Sequence, residues 1–226
     1  MSDLKKMWGQ HKRFVFFVSL MFVFRSAVAD WNYIPSSSMN PTLLAGDRVV
    51  VSKLAYTLRL PFTLHQIVRW DSPHTGDVIT FDSPKDELNL IKRVVGVAGD
   101  VVAMKDNQLS INGHPVERTL LDARRELPTE AGSLQAEVWA EHLGNETIEV
   151  ARLPAANRFR DFDAVRVPRG MLLVLGDSRD NSNDSRFIGF IDVDRVTGQA
   201  LRVALSHDPD HFYLPRSNRW WVPLHS

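Results

Sequence analysis

The chain contains no cysteine. Disulfides, thiolate zinc sites and a cysteine nucleophile are excluded on that ground. Nor is there an excess of either charge, since 27 Lys and Arg stand against 27 Asp and Glu. A nucleic-acid partner has no electrostatic footprint here. No internal repeat or low-complexity segment occurs. The G-x-S-x-G turn of an α/β-hydrolase nucleophile is missing too. Eight histidines are present, and none falls in a recognisable catalytic arrangement. With 226 residues, one or two domains and a sizeable core are expected.

One long apolar run occurs, at the N-terminus. "MSDLKKMWGQHKR" carries Lys5, Lys6, Lys12 and Arg13 against Asp3, and "FVFFVSLMFVFRSAVA" comes next, over 14–29. Basic residues ahead of an apolar run keep the N-terminus in the cytoplasm and send the rest of the chain outward. Two readings stand level. "AVA" at 27–29 has the small-x-small form of a signal-peptide cleavage site. Alternatively the run is an uncleaved anchor, shorter than the roughly 20 residues of a full span, with Arg25 reaching to the outer surface.

Beyond Ala29 the pattern predicts strands. "DRVVVSKLAY", "GDVITF", "LIKRVVGVAGDVVAM", "QLSING", "TIEVARL" and "GMLLVLGD" are short Val/Ile/Leu-rich runs bounded mostly by Gly, Asp, Asn or Pro. Asn112-Gly113 is a two-residue hairpin signal. The best helix candidate is Leu134 to Leu143, in "SLQAEVWAEHL". Residues 104–164 are more polar, with charge clusters "DARRE" and "RFRDFD", and read as a smaller β-rich insert in one main sheet domain.

The chemistry turns on "PSSSMNPT", 35–42. Pro35 and Pro41 hold Ile34 and Asn40 extended. Side chains alternate in an extended segment, so Ser36 and Ser38 share a face and Ser37 points away. That places a nucleophile and a second hydroxyl donor before one carbonyl; a Ser/Pro loop with turn-capping hydroxyls has the same composition. A serine nucleophile needs a base, and lysine is the alternative to histidine. In "NLIKRVVGVAGD", 89–100, Lys92 shares a strand face with Leu90 and Val94, and Arg93 shares the other with Ile91 and Val95. Both faces are apolar, so the strand is expected to be covered on both sides. Burial of this kind depresses a lysine from ~10.4 toward a useful base. Pairing with an acid, or a side chain reaching water, is the other reading of Lys92. "DSRDNSNDSR" has calcium-loop spacing at Asp180, Ser182 and Asp184. Ser185 and Ile191 stand where that loop needs Gly and Glu, so no metal is expected.

Taken together these segments resemble bacterial type I signal peptidase, a membrane-bound Ser/Lys endopeptidase family. "IPSSSMNPTLLAGDRVVVSKLAY" (34–56), "TGDVITF" (75–81), "IKRVVGVAGD" (91–100) and "PRGMLLVLGDSRDNSNDSRFIGFI" (168–191) are similar to its four ordered motifs. Ala98, Ser178, Phe187-Ile188 and Asp192 depart from the usual pattern without removing a reacting group.

The resemblance implies a fold and a set of roles. The fold is mainly β: an antiparallel catalytic domain (30–103 and 165–226) with the insert at 104–164. A cytoplasmic N-terminus (1–13) and one transmembrane anchor (14–29) precede it. Ser38 is implied as nucleophile and Lys92 as general base. Ser36 and the Ser38 N–H are implied as oxyanion donors, Ser182 as the residue orienting the lysine, and Asp177, Asp184 and Arg186 as a supporting ion-pair cluster. No cofactor or metal is implied. The implied partners are signal peptides of exported preproteins and the lipid bilayer, and the implied place is the cytoplasmic membrane with the catalytic domain outside. Small residues at the first and third positions before the cut would fill shallow pockets, for which Met39, Ile34 and Ile91 are the candidates. Self-cleavage after Ala29 is a further expectation. A dedicated conjugation-type peptidase with the same dyad, or a non-catalytic tethered β-domain, are the alternatives.

Overall fold

Short apolar runs bounded by turn residues do become strands along most of the chain. The computed structural model describes residues 11, 12, 14–19, 21, 25, 28–60, 63, 65–129, 132–153, 161–209 and 211–224. In chain order the strands are β1 (Ala29–Tyr33), β2 (Asp47–Ser52), β3 (Thr57–Arg59), β4 (Gln66–Arg69), β5 (Val78–Asp82), β6 (Asn89–Gly96), β7 (Val101–Lys105), β8 (Gln108–Ile111) and β9 (His114–Pro115). They continue as β10 (Arg118–Thr129), β11 (Gly132–Leu143), β12 (Glu146–Arg152), β13 (Phe162–Arg166) and β14 (Met171–Leu175). After the single-turn helix α1 (Ser185–Ile188) come β15 (Ile191–Asp192), β16 (Val196–Asp208), β17 (Leu214–Pro215) and β18 (Val222–Pro223).

The main sheet runs β1-β2-β16-β5-β6-β14-β15, with β17 and β18 also paired to β16. All of its pairings are antiparallel. The chain leaves this sheet after Gly96 and returns at Met171. Between them it builds a three-stranded sheet, β10-β11-β12, and a four-stranded one, β13-β7-β8-β9. Asn112 and Gly113, at φ 53° and 82°, make the tight link between β8 and β9. Residues that take positive φ readily are what such a link requires.

β6 is covered on both faces, as its all-apolar flanks require. Leu90 and Val94 pack with Ile79, Phe81 and Leu172. Ile91 packs against the cluster of Ile34, Met39, Val49 and Val51, and Val95 against Val102, Met104, Leu109 and Leu173. The last cluster also holds Leu143 and Ile148, so the apolar core runs unbroken from the main sheet into the insert.

One expectation changes, and another falls largely outside the described residues. The helix expected at Leu134–Leu143 is strand β11, which pairs with β10 on one side and β12 on the other. Its Ala and Glu residues favour helix in isolation. However, Ala136, Val138 and Ala140 are buried at a spacing of two, and pairing along both edges overrides the local preference. The transmembrane segment expected at 14–29 lies partly outside the described residues. Those described between 11 and 25 are helical, and no helix among the described residues is long and apolar enough to cross a membrane. Ala29, at the end of that segment, is instead the first residue of β1, paired with Ser52.

Candidate active site

The turn after β1 carries the three serines. Backbone bonds from Ile34 N–H to the Asp47 carbonyl and from Gly46 N–H to the Ile34 carbonyl, both 2.9 Å, tie its start to β2. Met39 and Leu43 are fully buried beneath it. The alternation read from the sequence holds: Ser37 is buried and accepts a hydrogen bond from Asn181 Nδ2 at 2.8 Å, while Ser36 Oγ and Ser38 Oγ lie on one side, 3.3 Å apart. The Ser38 N–H donates to no group among the described residues.

Lys92 reaches this turn from the middle of β6. Its Nζ lies 2.7 Å from Ser38 Oγ and donates to the Ile91 carbonyl at 2.8 Å. The side chain is 3% exposed and in no ion pair among the described residues. Burial pushes the ammonium from 10.5 down to about 8, against the pull of Asp184 and then Asp177, which favour the charged form. An amine so placed is neutral in a useful fraction near physiological pH, with its nitrogen within hydrogen-bond reach of a hydroxyl. That is the geometry for removing the hydroxyl proton.

The segment 176–186 closes the site from the side of β14. Ser178 N–H donates to the Ser38 carbonyl at 3.2 Å, and Asp184 Oδ2 accepts from Gly176 N–H at 3.0 Å. At Gly176 a Cβ would sit 2.3 Å from Ser182 Oγ and 2.4 Å from the Ser38 carbonyl oxygen, so only glycine lets the two chains approach.

Three sequence expectations are refined here. Ser182 lies beside the nucleophile turn but makes no hydrogen bond to the lysine. Its Oγ is buried without a hydrogen-bond partner, and the Lys92 amine contacts Ser38 Oγ and the Ile91 carbonyl. Asp177, Asp184 and Arg186 are not one cluster. Asp184 pairs with Arg186 at 2.8 and 2.7 Å, whereas Asp177 makes a two-pronged pair with Arg93, Nε–Oδ1 2.9 Å and Nη2–Oδ2 2.8 Å. Arg93, the residue after the lysine, also donates to the Gly76 carbonyl at 2.7 Å. Ile34, Met39 and Ile91, the pocket candidates, do gather in one apolar cluster under the turn.

Thr42 and the Glu141–Arg179 pair are not legible in the sequence. Thr42 Oγ1 donates to Asp177 Oδ2 at 2.6 Å. Arg179 bonds Glu141 at 3.0 and 2.5 Å, both side chains 2% exposed. Their partners lie more than a hundred or some forty positions away, beyond any spacing rule.

The comparisons give the family of the chain. Residues 7–204 match the model of the family described as signal peptidase, peptidase S26. A signal peptidase I from Pseudomonas fluorescens is 37% identical over 88% of this chain and 73% of its own, and one from Pseudomonas aeruginosa is 34% identical over the same shares. A signal peptidase I from Aquifex aeolicus is 30% identical over 85% of this chain and 82% of its own. The crystal structure of a signal peptidase I from Enterococcus faecalis, 27% identical, covers 57% of this chain and 97% of its own at a TM-score of 0.35, too low for geometric correspondence. The buried serine–lysine contact fits a serine hydrolase with an amine base. The chain belongs to the signal peptidase family, peptidase S26, and is a serine endopeptidase.

Proposed function

We propose that this protein removes signal peptides from exported preproteins, using Ser38 as nucleophile and Lys92 as general base, while tethered to the cytoplasmic membrane. The observation that carries the reading is the 2.7 Å approach of a buried amine to the serine hydroxyl. Neutral Lys92 takes the Ser38 proton as Oγ attacks the peptide carbonyl. The developing oxyanion accepts from the unengaged Ser38 N–H and from Ser36 Oγ, donors of a kind that contribute roughly 2.7–4 kcal/mol each. Lys92 then gives its proton to the leaving amine and next activates water, which frees the acyl group from Ser38.

The substrate has a place to lie. β14 ends opposite Arg93, so Asn89–Lys92 pair with β5 on one edge only. An extended peptide adding to the other edge would meet Ser38 at its end, with small side chains over Ile34, Met39 and Ile91. The apolar 14–29 segment supplies the tether. The half-exposed Trp31, Trp220 and Trp221 suit the interfacial region of a bilayer.

The experiment is cleavage of a preprotein by the purified full chain. The wild type should release the mature protein and Ser38→Ala should release none. Equal cleavage by both would overturn the assignment. The pH profile tests the base separately. Because Lys92 acts only when neutral, the rate should rise about tenfold per pH unit below 8 and level off above it. A rate that stays constant from pH 4 to 8 contradicts an amine base.

A further inference from the structure

The nucleophile turn is held from two sides, and the second side belongs to the insert. Asn40, two residues beyond Ser38, is 1% exposed. Its backbone N–H closes the turn onto the Ser37 carbonyl at 3.0 Å. Its side-chain Nδ2 donates to the Pro128 carbonyl at 2.7 Å, across 88 positions of sequence. Asn40 Oδ1 has no partner, so this is the one hydrogen bond of its amide among the described residues.

Pro128 stands at the outer end of the β10–β11 hairpin. That end is closed by Thr129 Oγ1 donating to the Gly132 carbonyl. Behind it Leu127, Ala136 and Val138 pack with Ala151 of β12 in a small core of their own. The rest of the sheet is fastened to the same site. Ala151 N–H donates to the Asp177 carbonyl at 2.8 Å, Arg179 N–H to the Ala151 carbonyl at 3.0 Å, and Thr42 Oγ1 touches the Glu149 carbonyl at 3.4 Å. The hairpin end, with Leu127 buried and Pro128 and Thr129 half-buried, is thus a stop against the turn that carries Ser38.

We propose that Asn40 is a positioning residue: by clamping the β10–β11 hairpin to the nucleophile turn it fixes Ser38 against Lys92, and it makes the insert a working part of the active site. The inference rests on the Ser38/Lys92 reading above. Proton transfer at 2.7 Å tolerates little displacement, and a misplacement of the order of 1 Å can cost about a hundredfold in rate.

The test is preprotein cleavage by the full chain carrying Asn40→Leu, which keeps the branched shape and removes the donor without adding charge. kcat should fall about tenfold or more, with KM within about twofold of wild type. The pH midpoint should stay in place, since no charged group near Lys92 has changed. A role in stability alone would instead lower the melting temperature and the fraction of active molecules, and leave the single-turnover rate per active site at the wild-type value; that result overturns the proposal. Should Asn40→Leu not fold, Pro128→Gly loosens the hairpin end and leaves the whole nucleophile turn intact. Its kcat should fall severalfold at constant KM, and an unchanged kcat is equally fatal. A wild type that cleaves no preprotein overturns the Ser38/Lys92 reading together with this one, whereas an active wild type with equally active variants overturns this one alone.

Discussion

Lys92→Met should abolish cleavage and, at neutral pH, raise the stability of the protein. The methionine keeps most of the packing volume in a site 3% exposed and deletes the base. Without a general base the Ser38 hydroxyl is a poor nucleophile, and turnover should drop by at least about 10³-fold. The gain in stability comes from the same burial that makes the base. Folding depresses the lysine from 10.5 to about 8, and at 1.36 kcal/mol per unit that is a penalty of about 3 kcal/mol. The unfolded chain holds the proton more tightly, so the penalty is complete below pH 8 and fades as pH rises from 8 to 10.5. Denaturant titrations of wild type and Lys92→Met at pH 7 and pH 10.5 check this. The difference should be largest at pH 7 and nearly gone at 10.5. Equal stabilities at both pH values would mean that the lysine is not desolvated.

The second large effect is expected at Asp177. Arg93 and Asp177 are each 1% exposed, and the pair is two-pronged. Asp177→Ala leaves the guanidinium buried with the Gly76 carbonyl as its remaining acceptor. Breaking a buried pair in this way costs about 3–5 kcal/mol, a large share of the stability of a domain this size. Thr42 loses its nearer acceptor as well and keeps only the Glu149 carbonyl at 3.4 Å. The apolar replacement of both partners, Arg93→Met with Asp177→Leu, should recover much of the loss, because no charge is then stranded. Chemical denaturation of the three variants measures it. A single variant within 1 kcal/mol of wild type would show that Arg93 finds water in the fold. In variants that remain active, loss of Asp177 should also move the midpoint of the pH profile downward, since Asp177 favours the charged form of Lys92.

Much of this is readable from residue order alone, and the reasons are local. Strands are evident where Val, Ile and Leu run between turn residues, and the pairing of Ser36 with Ser38 is a consequence of period-two geometry. The burial of Lys92 is implied by apolar neighbours on both faces of one strand. What escapes the sequence is long-range. β11 reads as helical because its Ala and Glu residues say so locally, while its two pairing partners are invisible. The motif places Ser182 beside the lysine, but its hydroxyl has no partner in the fold. Asp177 finds Arg93 across 84 positions, and Asn40 gains its importance from a carbonyl 88 positions away.

The two reacting groups are 54 positions apart, and β16, which stands between β2 and β5 in the sheet, comes only at Val196–Asp208. No contiguous fragment short of nearly the whole chain can bring them together. A nascent or unfolded copy therefore carries every reacting atom and none of the reactivity. Completion of the sheet is itself what turns the chemistry on.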